Sequence, residues 1–400
     1  MRIAMVSEHA NPLAVVGGVD AGGQNVHVAA LAGRLAARGH EVTVYSRRDT
    51  ADAPLRTVAP EGYLVESIPA GPPSEVPKDE LLPYLPEFAD HLRRRWREDP
   101  VDVVHAHFWM SGLVAVDAAR DAGVPVVQTF HALGTVKRRH QGDRDSSPSA
   151  RISLERRLCR GVDRVIATCS DEAKELRAMG LAPQRVRIIP CGVDTDDFRP
   201  MMAHLPVRPR LLVIGRIVER KGVGNAIEAL ADLPEAELLV AGGPAPALLA
   251  TDPEVVRLRN LAERLGVEDR VRFLGSVSRE NVPALMNSAH VVVAVPWYEP
   301  FGIVPLEAMA CGRPVVGSAV GGLLDTVVPG ITGELVPPRR PDVLAETLRE
   351  LLADPARRQA YGRAGRARAV STYQWRRVAA ETEDAYESVV SPQLRSGVTR

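Results

Sequence analysis

Two glutamates eight positions apart, Glu299 and Glu307, lie in the stretch Pro296-Trp297-Tyr298-Glu299-Pro300-Phe301-Gly302-Ile303-Val304-Pro305-Leu306-Glu307-Ala308-Met309-Ala310-Cys311-Gly312. A single carboxylate has lone pairs enough to accept from two neighbouring hydroxyls. An apolar, β-branched run, His290 to Val295, leads into the stretch, which reads as a tight turn and a short helix closed by Gly312 and Pro314. Backbone N–H groups around Phe301, Gly302 and Ile303 are then free to face a ligand, and a helix N-terminus favours phosphate. The spacing alone also fits a surface turn with two solvated carboxylates, so other parts of the chain must decide.

Three other groups could share that chemistry. Arg216 and Lys221, in Gly215-Arg216-Ile217-Val218-Glu219-Arg220-Lys221-Gly222, follow a strand end and flank a helix start. One can fork and the other acts as a point charge, which suits a diphosphate. His131, in Thr129-Phe130-His131-Ala132-Leu133-Gly134, also ends a strand. There it could hydrogen-bond a sugar hydroxyl or a developing charge. Gly17-Gly18-Val19-Asp20-Ala21-Gly22-Gly23-Gln24-Asn25 precedes a helix. The amides of Gly22 and Gly23 could approach a phosphate closely. This loop lacks the Lys-Ser/Thr of a P-loop and the register of a dinucleotide fingerprint. His105 and His107 resemble a metal pair, but no carboxylate or cysteine completes a set. Asp194-Thr195-Asp196 imitates a D-x-D metal motif inside a Pro/Gly-rich boundary, and no metal site is expected.

The elements that must position these groups alternate. Strands are predicted at Arg2–Ser7, Glu41–Ser46, Leu64–Ile68, Val101–His105, Val124–Thr129, Arg164–Thr168 and Val186–Ile189. Helices are predicted near Gln24–Arg38, Asp79–Arg97, Gly112–Asp121, Ala150–Arg160 and Asp171–Ala178. Thr135 to Ala150 is polar without a hydrophobic period and reads as a loop. After a proline-bearing linker, Met201 to Pro209, the alternation restarts: strand Arg210–Ile214, helix Val223–Ala231, strand Ala236–Ala241, helix Asp252–Leu265, strand Val271–Leu274 and helix Arg279–Ser288. Beyond the Glu299 stretch come a glycine turn, Ser318 to Gly322, a last strand, Thr332 to Val336, and helices from Asp342, Pro355 and Trp375. The tail after Pro392 reads as disordered. Such alternation implies an α/β fold with two doubly wound, Rossmann-like parallel sheets. Domain boundaries are expected at 1–198 and 199–374, with residues 375–400 returning to the first domain.

The chain has 400 residues, enough for two cores. Fifty basic and fifty acidic residues balance, so charge suggests neither nucleic acid nor a membrane surface. Arg93, Arg94, Arg95 and Arg97 around Trp96 support weak peripheral membrane contact at most. Four scattered cysteines, Cys159, Cys169, Cys191 and Cys311, fit reduced thiols, and no secretory leader or membrane span is apparent. A cytoplasmic protein is expected.

Taken together, the glycine loop, His131, Arg216 with Lys221, the Glu299-x7-Glu307 pair and the hinge at Pro190 to Pro200 resemble the retaining GT-B glycosyltransferases of the sucrose-synthase-like family (family four). Within it the chain is similar to the D-inositol-3-phosphate glycosyltransferases and to sucrose-phosphate synthase glucosyl domains. The resemblance implies two domains facing a cleft and transfer of a hexosyl group from a nucleoside-diphosphate sugar, a UDP-sugar first, to a hydroxyl of a small acceptor that is phosphorylated in those relatives. It implies catalytic roles for His131, Arg216, Lys221 and Glu299. Donor contacts would come from Gly22, Gly23, Arg216, Lys221, Val277, Phe301, Gly302, Ile303 and Glu307, with Glu307 on the ribose. His9, Asn25, Lys78, Phe108 and Arg151 fall at acceptor positions. Phe108 replaces a tyrosine of those enzymes and Ala132 a threonine, each change removing a hydroxyl donor. No cofactor is implied, and a homodimer is compatible. A non-hydrolysing nucleotide-sugar epimerase and an inactive sugar-nucleotide binder are the competing classes.

Overall fold

The computed structural model describes residues 1–14, 22–202 and 205–396. The chain divides into two units. One runs to Pro190 and includes the helix that starts at Trp375; the other spans Cys191–Gln374. The expected division after residue 198 falls later than the observed one, because Val193 and Phe198 pack in the second unit's core.

The first unit holds strands β1 (Arg2–Val6), β2 (Glu41–Arg47), β3 (Arg56–Val58), β4 (Leu64–Ile68), β5 (Val103–His107), β6 (Val126–Thr129), β7 (Arg164–Ala167) and β8 (Val186–Ile188). Their spatial order is β3-β4-β2-β1-β5-β6-β7-β8. All pairs are parallel except β3 with β4. In β1, Ile3 to Val6 are all buried, as a strand covered on both faces requires. Alternation divides them: Ala4 and Val6 join one core, Ile3 and Met5 the other. The second core is closed by the helix Trp375–Ser396, whose Trp375, Val378, Ala379, Ala385, Tyr386 and Val389 pack with Val28, Leu31 and Leu35 of the helix Gly23–Ala36. The last helix therefore belongs to the first unit.

The second unit holds β9 (Arg210–Ile214), β10 (Glu237–Ala241), β11 (Val271–Gly275), β12 (Val291–Ala294), β13 (Val315–Ser318) and β14 (Gly333–Val336). Their order, β11-β10-β9-β12-β13-β14, is the all-parallel 3-2-1-4-5-6 arrangement of a doubly wound sheet. Chain order reverses between β9 and β12, the place where such sheets receive ligands beyond their strand ends.

Three expectations change. The segment read as a loop after Thr135 contains the helix Gly134–Gln141 and a short turn, Gly142–Arg144. It showed no hydrophobic period because only Gly134 of that helix is buried. The edge strand β3 and the short strand β13 carried too few residues to stand out. The last helix continues to Ser396, past Pro392. Arginines on the helix Leu85–Glu98 are tied within the protein: Arg93 to Asp90 and Asp117, Arg95 to Glu66 and Asp99, Arg97 to Asp121. Among the described residues, no helix is long and apolar enough to cross a membrane.

Candidate functional site

In the second unit the strand order brings Lys221 and Glu299, 78 residues apart, into a hydrogen-bonded ion pair. Lys221 follows β9 and Glu299 follows β12. Their loops meet backbone to backbone: Trp297 N–H donates to the Arg220 carbonyl at 2.8 Å. Gly222 has φ 74°, and a Cβ there would lie 2.0 Å from the Val295 carbonyl oxygen. Only glycine permits that approach. On the other side, Gly322 N–H donates to the Glu299 carbonyl at 2.8 Å. Thus the glycine turn after β13 fastens the Glu299 turn from behind.

Burial alone would raise the Glu299 carboxyl, but Lys221, Arg220 and a Phe301 backbone N–H outweigh it and hold the group below its ordinary range. Burial pulls the Lys221 ammonium down, Glu299 opposes this, and the charges of Arg220 and Arg216 add to the lowering. Arg216 itself is exposed. Phe301 is half-buried, Gly302 is buried with φ 80°, and Ile303 opens the helix Ile303–Ala310.

Glu307 sits inside that helix, 2% exposed, and is paired with Arg279. Arg279 opens the short turn Arg279–Asn281 beyond β11, and its guanidinium lies 4.5 Å over the Phe198 ring. Burial raises the Glu307 carboxyl and Arg279 opposes the rise. Val277, half-buried, packs against the neighbouring core.

The first unit assembles its groups at the ends of β1, β5 and β6. His9 Nδ1 lies 2.7 Å from Glu8, a buried carboxylate that also accepts from Ser111 Oγ. Phe108 (φ 81°) and His131 (φ 61°) both hold left-handed backbone, which non-glycine residues rarely adopt and which concentrates at functional sites. His131 Nε2 lies 2.9 Å from His107 Nδ1. Lys78 is half-buried in the turn Lys78–Glu80.

Two expected acceptor contacts are used internally instead. Asn25 Oδ1 accepts from Gly22 N–H at 3.0 Å, and its Nδ2 donates to the Asn11 carbonyl at 2.9 Å. Asn25 therefore caps its helix, and the Gly22 amide is taken by it. Gly23 opens the same helix and is exposed. The part of the glycine loop at residues 17–21 lies outside the described residues. Arg151, 3% exposed, donates to Glu155 at 2.8 Å, to Ser147 Oγ at 3.1 Å and to the Ala132 carbonyl at 2.6 Å. Its guanidinium lies 5.0 Å from the Phe108 ring centroid. The fork expected to meet a phosphate is thus folded inward, and Phe108, lacking a hydroxyl, packs against it.

Residues 21–197 match the model described as Glycosyltransferase Family 4, and residues 197–368 that described as Glycosyl transferases group 1. D-inositol 3-phosphate glycosyltransferase 1 of Catenulispora acidiphila is 38% identical, covering 97% of this chain and 96% of its own. The chain belongs to the family-four glycosyltransferases. The D-inositol 3-phosphate glycosyltransferase of Nocardiopsis dassonvillei is 36% identical over 98% of this chain and 95% of its own. Sucrose-phosphate synthase from Thermosynechococcus elongatus superposes with a TM-score of 0.90 at 32% identity, covering 98% and 99% of the two chains. Anabaena HepE in complex with UDP-glucose shares the fold, with a TM-score of 0.77 at 22% identity over 98% and 100%.

Several residues of this glycosyltransferase that touch the site groups escaped the sequence reading. Arg279 carried one signal, its place next to Val277. Glu8 carried another, an acid directly before His9. Glu155 accepts from the Gly134 N–H and Arg151 while wholly buried, and burial raises its carboxyl. Lys137 Nζ, 3.0 Å from Asp145 and 2.9 Å from Ser147 Oγ, lies in the helix read as a loop. Among the described residues no three His, Cys, Asp or Glu converge to hold a metal ion.

Proposed function

We propose that this glycosyltransferase moves a hexosyl group from a UDP-sugar to a hydroxyl of a small acceptor, with retention at the anomeric carbon. The observation that carries the reading is the cationic group of Arg216 and Lys221, beside the Glu299 turn, at the reversal point of the second sheet. Fixed positive charge there would stabilise a departing diphosphate in a transition state that resembles an oxocarbenium ion. The helix start at Gly302 and Ile303 adds its dipole. Glu307 would accept from both ribose hydroxyls, and Glu299 would face the sugar or the positive ring. His131 would hold the sugar's orientation. The bond from the anomeric carbon to phosphate oxygen breaks, a bond to the acceptor oxygen forms on the same face, and the leaving phosphate oxygen takes the acceptor's proton.

The named activity of the relatives favours a phosphorylated acceptor. Lys78 is the proposed direct contact for that phosphate. Arg151 shapes its surroundings, since all three of its nitrogens already donate within the protein. A second reading, glucosyl transfer to a sugar phosphate, is favoured by the likeness to sucrose-phosphate synthase. The proposal needs no metal and places the enzyme in the cytoplasm, where its four buried thiols stay reduced.

A thermal-shift panel of UDP-, GDP- and ADP-sugars tests the donor, because a ligand of the folded state stabilises by about RT ln(1 + [L]/Kd). Acceptor screening with inositol phosphate and sugar phosphates then separates the two readings. UDP-sugar binding without transfer to any acceptor would leave a binder, and donor conversion alone an epimerase. Activity should survive EDTA; loss restored by Mg²⁺ or Mn²⁺ would refute metal independence.

A further inference from the structure

Four histidines of the first unit, His27, His105, His107 and His131, are buried. Burial brings His27 down to about 4 and His105 to about 3, and it holds His107 and His131 well below the ordinary histidine range; repulsion between histidines adds to the lowering at the last three. At neutral pH these four rings are uncharged. A fifth, His9, is close enough for its charge to count against an imidazolium at His131, but its own surroundings differ. It follows β1, keeps 10% of its side chain exposed, and carries a carboxylate on one ring nitrogen.

That carboxylate is Glu8, 1% exposed, and both of its oxygens are engaged. Oε2 accepts from Ser111 Oγ, which in turn accepts from the Glu8 N–H at 3.0 Å. Ser111 is buried in the first turn of the helix Trp109–Ala119, so its one hydroxyl proton goes to the carboxylate. Oε1 lies 2.7 Å from His9 Nδ1. Two lone pairs at that distance would repel, so one proton lies between them. Free imidazole titrates near 6.5 and a free glutamate near 4.3, so the ring, as the stronger base, keeps it. His9 is therefore an Nδ1–H donor to Glu8, and in the uncharged ring Nε2 is a bare lone pair. Phe108 meets the ring edge-on at 4.8 Å between centroids, and no described residue hydrogen-bonds Nε2.

We propose that Glu8 is a positioning residue for the acceptor: by taking the Nδ1–H of His9 it presents Nε2 as a hydrogen-bond acceptor, so that His9 reads a hydroxyl of a polyol and turns away its phosphate, which is left to Lys78. What is bound rests on the proposed function; the tautomer does not. A hydroxyl can donate to the bare nitrogen, whereas a phosphate oxygen there sets lone pair against lone pair. The Glu8 charge behind the ring biases the position the same way.

Imidazole ¹⁵N–¹H correlation spectra of the ¹⁵N-histidine-labelled full chain, with His9 assigned by its disappearance in His9→Phe, read the tautomer directly. At pH 8, His9 should show Nδ1–H and a bare Nε2; an Nε2–H form or an imidazolium overturns the proposal. Kinetics use a UDP-sugar with the inositol phosphate or sugar phosphate that the screen identifies. In Glu8→Met the His9 tautomer should become mixed, and kcat/KM for the acceptor should fall about tenfold, mainly through its KM, with the KM for the UDP-sugar unchanged. In a His9→Phe background Glu8→Met should add no further loss. An equal loss there means that Glu8 only packs, and overturns the proposal. If Glu8→Met does not fold, Glu8→Gln takes its place. Its amide either accepts from Nδ1–H, with kcat/KM near wild type, or donates to Nδ1, with the loss restored; activity that does not follow the observed tautomer overturns the proposal. An Nδ1–H signal in a protein that transfers sugar to none of these acceptors would instead sink the proposed function and support the hold of Glu8 on His9.

Discussion

Glu307 is a buried carboxylate facing one arginine. Because burial raises its pKa and Arg279 counters the rise, removing Arg279 should leave more Glu307 protonated near neutrality. The sign is definite: the carboxylate is lost as pH falls, and with it the acceptor for ribose hydroxyls. Arg279→Met should therefore weaken UDP binding at pH 6 and recover it as pH rises, by up to about tenfold per pH unit. Calorimetric titrations across that range measure it; equal, pH-independent affinities would show that Arg279 serves only to pack on Phe198. Lys221 is a different case, since its ammonium would meet developing charge directly. Lys221→Ala should lower kcat by about 10²–10³ while far-UV circular dichroism stays native. Wild-type turnover in that variant would remove Lys221 from the mechanism.

The turns that carry these groups work by close backbone approach. Gly222→Ala combines a left-handed φ with a Cβ 2.0 Å from the Val295 oxygen, so the Glu299 turn must move. A loss of about 1–3 kcal/mol in urea unfolding is expected, with weakened UDP binding. Gly123→Ala is the control: its φ is 62°, yet nothing lies within 4 Å of an added Cβ. That variant should show only the left-handed cost of about 1–2 kcal/mol and unaltered binding. If the two variants behave alike, backbone contact between the loops is not what places Glu299. Gly222 was visible in the sequence as punctuation after a strand. The particular oxygen it must clear was not, because that oxygen belongs to a loop on the neighbouring strand.

At the scale of the molecule, four neutral histidines buried in the first unit make it acid-sensitive. Their folded pKa values lie below the unfolded value near 6.5, so the unfolded chain binds more protons as pH falls below it. Stability should be full above about pH 6.5 and decline below it, by up to about 1.4 kcal/mol per pH unit for each such histidine. Urea midpoints followed by tryptophan fluorescence from pH 7.5 to 5 test this. Trp96, Trp109 and Trp375 lie in the unit concerned and are buried. A midpoint that does not move would mean the histidines accept protons in the folded state.

Local sequence was enough for the alternation of strands and helices, since buried parallel strands such as β1 and β9 must be short apolar runs. It was also enough for the types of group at the strand ends, among them His131, Arg216, Lys221, Glu299 and Glu307. Partner choice was beyond it. The pairs Lys221–Glu299, Arg279–Glu307 and His107–His131 join residues 78, 28 and 24 positions apart. Which strands lie side by side decides such contacts, and hydrophobic periodicity carries no record of strand order. Tertiary packing also turned Arg151 inward, set Asn25 to capping a helix, and returned the chain after Gln374 to the first unit. In each case a buried charge, a buried amide or an apolar helix face had to find its complement, and only the folded chain could supply one.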